Sequence, residues 1–229
     1  MGGVNVKNTI VERVLQIIAP HPCSGCGKVG AVLCDDCKYD IISEPFGGCV
    51  LCGIPNSSGI CVEHNTSISR AFVVSTRADA LGDSINRLKF HNVKDAARTL
   101  AELLNDTLPV LPKSMIIVPL PTLRSHVRQR GYDQVELLAR HLSSLRGMSM
   151  AKALGRQTAT TQHTEDRATR QKQAAETFFL YPTTLPPGSH VLLIDDIVTT
   201  GASISAAADV LAEAGHIVWV ACLAYQPLD

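Results

Sequence analysis

The sequence predicts an α/β fold, a parallel sheet flanked by helices, preceded by a small Cys-rich domain. Short apolar runs alternate with helical patterns after residue 70, as in βαβ units. Seven of the eight cysteines lie between Cys23 and Cys61, and hydrophobic residues make up 45% of the chain, enough for a buried core. We therefore expect residues 1–68 to form an N-terminal helix and Cys-rich module, and residues 69–229 to form the α/β domain.

Each element of the α/β domain has its own pattern. Short, nearly uninterrupted apolar runs are typical of strands buried on both faces of a parallel sheet. They fall at 71–74, 116–118, 191–194 and 217–224. Between them, helical periodicity falls at 81–89, 95–104, 134–145 and 202–214. The polar segment 146–178 is less regular, and we expect a long loop with a helix over a site.

The N-terminus shows no targeting signal. Apolar residues recur at helical spacing over 10–18, and Pro20 ends the pattern, which predicts a short amphipathic helix. Glu12 and Arg13 interrupt any signal-peptide core, and no apolar run is long enough to cross a membrane. We expect a cytoplasmic protein without membrane insertion, whose cysteines are reduced.

Four pairs of metal-ligand residues fill the Cys-rich stretch. Each pair has two residues between its members, so that one tight turn presents both side chains to one ion. The pairs are Cys23 and Cys26, Cys34 and Cys37, Cys49 and Cys52, and Cys61 and His64. Unrelated thiols or a redox-active pair are the alternatives. We expect one or two structural zinc ions.

Two zinc ligand groupings are compatible with this spacing. Sequential use joins the first pair to the second and the third to the fourth, whereas a cross-braced pattern joins the first to the third. We favour sequential use because shorter loops close at a lower entropic cost. His64 is the one imidazole among the eight predicted ligands.

Charge is balanced overall but not locally. The chain has 21 basic and 21 acidic residues, yet the window from Arg124 to Lys172 holds ten Lys and Arg against four Asp and Glu. Such a basic centre indicates either a site for phosphates, pyrophosphate or a nucleic-acid strand, or simply solvated helices rich in arginine.

The most informative motif follows the apolar run at 191–194. Two carboxylates, Asp195 and Asp196, are followed by a turn that opens a helix. That turn contains Thr199, Thr200, Gly201, Ala202 and Ser203. Free N–H groups at a helix start bind phosphate, and adjacent carboxylates can accept hydrogen bonds from ribose hydroxyls. Ordinary helix capping is the alternative interpretation.

This motif resembles the signature for 5-phosphoribosyl-1-pyrophosphate (PRPP) of type I phosphoribosyltransferases. Other segments are similar to the ComF (competence) family, which includes GntX-like proteins. Its central RGFNQ motif is similar to the segment 118–121 together with residues 124–134, where Tyr132 and Asp133 depart from the usual residues. Lys89-Phe90 resembles a second element of the family. The chain also resembles the third conserved block of the family, at Arg156, Thr158, Gln162, Arg170 and Phe178. Gln173 stands where that block usually has Asn. His64 stands where the family usually has Cys.

The resemblance implies a type I phosphoribosyltransferase fold and roles for further residues. Pro119, Leu120, Pro121 and Arg124 would bind PRPP around its pyrophosphate, together with Mg²⁺. Arg128 and Arg130 would assist Asp195 and Asp196 in catalysis. Because these arginines are spaced by four and two residues, we expect at least one to lie on a loop or hood. His126 is a possible proton acceptor.

Three functions stay open at this point. The protein is a transferase that moves phosphoribose to an unknown acceptor, a DNA-uptake accessory, or a PRPP sensor without turnover. The resemblance implies single-stranded DNA and the competence DNA-translocation machinery as partners. Aromatic residues form only 4% of the chain, which argues against a large base-stacking surface.

Overall fold

The structure, a computed structural model, describes residues 21–157 and 177–227. The predicted helix at 10–18 and the residues Thr158, Gln162, Arg170 and Gln173 lie outside them. The described helices are α1 (Asp35–Ser43), α2 (Asp79–Phe90), α3 (Ala96–Thr107), α4 (Arg124–Arg130), α5 (Gln134–Arg146) and α6 (Ala202–Glu213). The strands are β1 (Ile68–Thr76), β2 (Ile116–Pro119), β3 (Leu154–Gln157), β4 (Thr177–Leu180), β5 (His190–Val198) and β6 (Ile217–Tyr225).

The four predicted strands form one parallel sheet in the order β1-β6-β5-β2. The α/β fold with a parallel sheet flanked by helices is therefore confirmed. All four carboxyl ends point to the same edge, where open α/β sheets bind ligands. In the central pair, Asp195 of β5 stands opposite Cys222 of β6.

Two hydrophobic cores cover the two faces of this sheet, because successive strand residues point to opposite sides. Leu192 and Ile194 face α2, α3 and α5, which we call the three-helix side. Leu193 faces α6, which we call the one-helix side, and Phe178 of β4 packs into the same core. Both cores are closed to solvent at their centres, with Leu192 and Leu193 fully buried.

The Cys-rich region contributes to both cores. Leu33 packs into the three-helix side and Val50 into the one-helix side, and both are buried. The predicted boundary near residue 68 falls at the first residue of β1. Since residues on both sides of that position share the same cores, the division into 1–68 and 69–229 stays a prediction.

Four short elements were not predicted from the sequence. Helix α4 has seven residues and no buried side chain, so it shows no hydrophobic period. Helix α1 buries only Cys37, and β3 and β4 form a separate two-stranded antiparallel sheet within the segment expected to be irregular. The expectation that Arg124, Arg128 or Arg130 lies on a loop is wrong, because α4 contains all three.

Within the described residues, none of the helices combines the length and apolar character needed to span a bilayer.

Candidate ligand cleft and metal centres

A cleft of about 390 Å³ opens at the carboxyl edge of the sheet, between the ends of β2 and β5. This volume falls within the range of small-molecule sites. Its walls carry two carboxylates and several cations. The polar and charged residues that line it are Arg77, Lys89, Thr122, His126, Arg130, Gln134, Arg156, Asp195, Asp196 and Ser203.

Asp196 is held by partners from the three-helix side. Its Oδ1 lies 2.8 Å from Lys89 Nζ at the end of α2, and its Oδ2 accepts a hydrogen bond of 3.1 Å from Gln134 Nε2 at the start of α5. The residue is 5% exposed, and both carboxylate oxygens have a partner. The charge of Lys89 offsets the cost of burying this carboxylate.

The Asp195 side chain points to the opposite face of β5, toward the one-helix side. Its Oδ1 accepts a hydrogen bond of 2.8 Å from the Asp196 backbone N–H. Burial and the neighbouring Asp196 carboxylate raise the pKa of Asp195 to about 8, although Lys89 and Arg156 oppose the rise. Asp195 therefore keeps its proton to a higher pH than an ordinary surface carboxyl does.

The residues Thr199 to Ser203, which we call the TTG loop, turn the chain from β5 into α6. Gly201 adopts φ +72°, a left-handed conformation that glycine enters without strain, and α6 begins at the next residue. Gly201 at the N-cap has no side chain to cap the helix, and the Ala202 backbone N–H donates to Thr200 Oγ1 at 3.3 Å. The first-turn N–H groups therefore suit an anionic ligand.

The TTG loop forms a hollow beside the main cleft. Asp195 and Ser203 line both spaces, and Thr200 and Ala202 are exposed. The hollow is therefore open to a ligand whose other end reaches the carboxylates.

The opposite wall of the cleft comes from the segment after β2. Leu120 and Pro121 line it, whereas Pro119 is buried within β2. The Leu120 N–H donates to the Ile194 carbonyl at 2.8 Å, so this amide serves the sheet rather than a ligand. Arg156 Nη1 donates to the Pro121 carbonyl at 3.1 Å, which anchors the arginine over the wall.

The arginines of α4 face two ways. Arg130 and His126, four residues apart, line the cleft, whereas Arg124 and Arg128 are exposed and do not line it. The Arg130 guanidinium carbon lies 5.5 Å from the Phe90 ring centroid, and its buried Nη1 makes no hydrogen bond to the described residues. Roles for Arg124 and Arg128 stay predictions.

The structure accommodates both departures from the RGFNQ pattern. The Tyr132 hydroxyl donates to the Leu88 carbonyl in α2, so the added oxygen has a partner. Asp133 Oδ1 caps α5 by accepting from the backbone N–H groups of Val135 and Glu136 at 3.0 and 3.1 Å. Asn and Asp cap helices about equally well, so this change keeps the same local structure.

Sequence reasoning missed Gln134, Thr122 and Arg77 as cleft residues. Gln134 belongs to the central motif, but its contact with Asp196 joins positions 62 residues apart. Its Oε1 is buried without a hydrogen bond to the described residues. Arg77 follows β1, and Thr122 follows β2. Their position just after parallel strands was a usable signal, because such strands end at one edge.

Two metal-ligand clusters occupy the Cys-rich region, and they group the four pairs in sequential order. The first cluster is Cys23, Cys26, Cys34 and Cys37, and the second is Cys49, Cys52, Cys61 and His64. In each, the ligand atoms lie within 4.8 Å of one another. Both clusters can therefore hold a metal ion.

Sulfur separations test how well the clusters fit a tetrahedral ion. A Zn–S length of about 2.3 Å places tetrahedral sulfurs about 3.8 Å apart. Cys34 Sγ lies 3.7 Å from both Cys23 Sγ and Cys26 Sγ, and Cys52 Sγ lies 3.8 Å from Cys61 Sγ. His64 Nε2 is buried without a hydrogen-bond partner in the described residues, as expected of a ligand nitrogen.

Comparison with known proteins finds a matching family model and similar proteins. A family model described as "Phosphoribosyl transferase domain" matches residues 137–228. The chain is 32% identical over 193 residues to DNA utilization protein YhgH of Escherichia coli strain K12, covering 76% of this chain and 83% of that protein. Competence protein ComFC of Bacillus subtilis is 24% identical over 195 residues, covering 80% and 79%.

Solved structures similar to the chain include adenine phosphoribosyltransferase from Saccharomyces cerevisiae. Its TM-score is 0.40 at 13% identity, covering 62% of this chain and 74% of that chain.

The parallel sheet, the TTG loop and the family match together define a type I phosphoribosyltransferase fold. Within that class, the chain belongs to the ComF family, together with YhgH and ComFC.

Proposed function

We propose that this protein binds PRPP with Mg²⁺ in the cleft and acts in the use of incoming DNA. The observation that carries the proposal is that two neighbouring spaces, which share Asp195 and Ser203, bring together the start of α6, two adjacent carboxylates and the cations of the cleft. A sugar with a phosphate at one end and a pyrophosphate at the other has the complementary order of groups.

The TTG loop would bind the 5-phosphate. Backbone N–H groups of Gly201 to Ser203 and the hydroxyls of Thr199, Thr200 and Ser203 supply donors, and the α6 dipole favours the negative charge. Asp195 would accept from a ribose hydroxyl, with Asp196 held beside it by Lys89 and Gln134. The fixed spacing of these groups would orient the ring.

Arg130 and Arg156 would hold the pyrophosphate. Both line the cleft, and each is stacked on an aromatic ring, at 5.5 Å from Phe90 and 5.4 Å from Phe178. The wall formed by Leu120 and Pro121 lies beside them. If phosphoribose is transferred, these cations would stabilise the charge that develops on the departing pyrophosphate. Bound Mg²⁺ would supply further positive charge to the same oxygens.

Zinc is the metal that we propose for both clusters. Three or four thiolates at tetrahedral separations suit zinc, and complete coordination by protein ligands leaves no position for a substrate. The ions would therefore stabilise structure. A reducing cytoplasmic compartment is part of this proposal, because disulfide formation would remove the thiolates.

Calorimetry with PRPP and Mg²⁺ tests the binding proposal. The wild type should show saturable binding. Asp195→Asn should weaken it by about 10- to 100-fold, because the carboxyl group that accepts from a ribose hydroxyl is replaced by an amide. Asp209→Asn, an exposed change on α6, is the matched control and should leave affinity unchanged. Absence of binding to wild-type protein at millimolar PRPP contradicts the proposal.

Pyrophosphate release separates transfer from sensing. A panel of candidate acceptors is mixed with PRPP, Mg²⁺ and the protein, and release is followed over time. Release that requires an acceptor supports a transferase, and saturable PRPP binding without release supports a PRPP sensor.

Single-stranded DNA is the proposed macromolecular partner, with the competence DNA-translocation machinery as its source. The names of the two relatives refer to DNA utilization and competence. In this chain, Arg124 and Arg128 lie one helical turn apart on the exposed face of α4, at a spacing suited to backbone phosphates.

Fluorescence anisotropy with a labelled oligothymidine checks this partner. Arg124→Ala combined with Arg128→Ala should reduce affinity and make its salt dependence shallower. Arg98→Ala, an exposed arginine on α3, is the control. Equal affinity and salt dependence in the wild type and the double variant would remove α4 from the DNA interface.

A further inference from the structure

The turn between two ligands of the second metal-ligand cluster contacts the TTG loop directly. A methyl carbon placed on Gly201 would lie 2.2 Å from Leu51 Cδ2 and 3.4 Å from the Val50 carbonyl oxygen. Leu51 therefore packs against the backbone of Gly201, the residue that turns β5 into α6. Gly201 is buried although its neighbours Thr200 and Ala202 are exposed, and Leu51 does not line the hollow that the loop forms, so it contacts the loop outside that hollow.

Leu51 has little freedom of its own. It lies between two ligands of the second cluster, Cys49 and Cys52, in a turn closed by the Gly53 N–H donating to the Cys49 carbonyl at 2.8 Å. The preceding residue, Val50, is fully buried, and its N–H donates to the Gly59 carbonyl at 2.9 Å. A metal ion bound by Cys49 and Cys52 would fix the turn that presents Leu51.

A second contact links the same turn to the end of the sheet. A methyl carbon on Gly53 would lie 2.9 Å from Tyr225 Oη, and the Tyr225 ring stacks on Phe46 at 4.4 Å. The next residue, Gln226, donates its N–H to the Val198 carbonyl at 2.8 Å, immediately before the TTG loop. The cluster therefore contacts the loop at Gly201 and contacts Tyr225 beside its entry.

We infer that Leu51 is a positioning residue for the TTG loop, so that the fold of the second cluster sets the affinity for a sugar 5-phosphate. Phosphate binding requires several backbone N–H groups to converge, and a loop free to move must be ordered when the ligand binds. Contact with Leu51 orders the loop beforehand. This inference rests on the proposed binding of the 5-phosphate by the TTG loop.

Two probes isolate the effect, because they use different parts of the cleft. Ribose 5-phosphate requires the TTG loop, whereas pyrophosphate requires the wall that holds Arg130 and Arg156. In Leu51→Ala, the Kd for ribose 5-phosphate should rise about tenfold, since the loop must be ordered on binding. The Kd for pyrophosphate should stay unchanged, which a general loss of folding would not allow.

Two further variants complete the series. Leu51→Met restores apolar volume and should recover most of the affinity. Ile54→Ala removes an apolar side chain from the same turn, but Ile54 is 52% exposed, so the affinity should equal that of the wild type. Metal content, measured by mass spectrometry, should be equal in all four proteins, because none of these residues is a ligand.

The outcomes are distinct. If wild-type protein binds no ribose 5-phosphate, the proposed function fails and the inference with it. If the wild type binds and Leu51→Ala binds equally well, the inference alone is overturned. Equal losses for ribose 5-phosphate and pyrophosphate would also overturn it, since they indicate general destabilisation.

Discussion

The two sides of the sheet differ in what their metal cluster supports. On the three-helix side, the first cluster adds Val32 and Leu33 to the core, and Gly25 approaches Ala80 of α2. On the one-helix side, the second cluster contacts Gly201 of the TTG loop through Leu51. The two clusters have the same ligand spacing but different neighbours. Loss of the first would therefore disturb the three-helix core, and loss of the second would disturb the TTG loop.

The two carboxylates of β5 follow the same division. Asp196 points to the three-helix side and is held by Lys89 and Gln134. Asp195 points to the one-helix side, where burial and the charge of Asp196 raise its pKa. Adjacent residues of one type therefore have opposite electrostatic surroundings, since a strand alternates its side chains between faces.

Loss of a metal ligand should give the largest effect. Cys37→Ser and Cys52→Ser should each lower metal content from two ions per chain to one, with a loss on the order of several kcal/mol in the free energy of unfolding. Cys37→Ser should lower Tm more, because the residues around the first cluster place both Val32 and Leu33 in the three-helix core, whereas those around the second place Val50 in the one-helix core. Only Cys52→Ser should weaken ribose 5-phosphate binding at a temperature where both variants are folded.

Circular dichroism, metal analysis and calorimetry check these three quantities. Equal effects of the two variants on sugar-phosphate affinity would mean that the division between the two sides is wrong.

Removal of the carboxylates should give opposite signs. Asp196→Asn leaves Lys89, whose side chain is 14% exposed, without its partner, and should cost about 3 kcal/mol in the free energy of unfolding. Asp195→Asn should instead stabilise the ligand-free protein at alkaline pH. Its Tm should exceed that of the wild type by about 2–4 °C at pH 8.5.

The pH window for Asp195 follows from its raised pKa. The folded protein holds this proton up to about pH 8, whereas the unfolded chain releases it near the ordinary value of 3.8. Stability from this group is therefore lost as pH rises from about 4 to about 8. Wild type and Asp195→Asn should have similar Tm at pH 4. A Tm difference independent of pH would show that the charge is not responsible.

The sequence was sufficient for the sheet and the metal clusters, and the reason is physical. Runs such as 191–194 are apolar because both faces of the strand are buried, and four consecutive Cys-rich pairs at one fixed spacing are typical of metal sites. Helix α4 was not predicted because none of its seven residues is buried as a whole, so the sequence shows no hydrophobic period there. Its direction decides which arginines enter the cleft.

Contacts between residues that are distant in the chain could not be predicted from the sequence. Nothing in the sequence distinguishes Leu51 from any other residue between two cysteines. Its contact with Gly201 depends on how the second cluster is placed against α6. The partners of Asp196 come from positions 89 and 134, which no local pattern connects. The raised pKa of Asp195 depends on the same tertiary placement.

The most direct test of the central claim follows the backbone amides of the TTG loop by nuclear magnetic resonance during titration with ribose 5-phosphate. We predict saturable shifts at the amides of Thr200 to Ser203, because these N–H groups bind the phosphate. Saturation that shifts other amides and leaves these unchanged, or no saturable shift at all, would contradict the account.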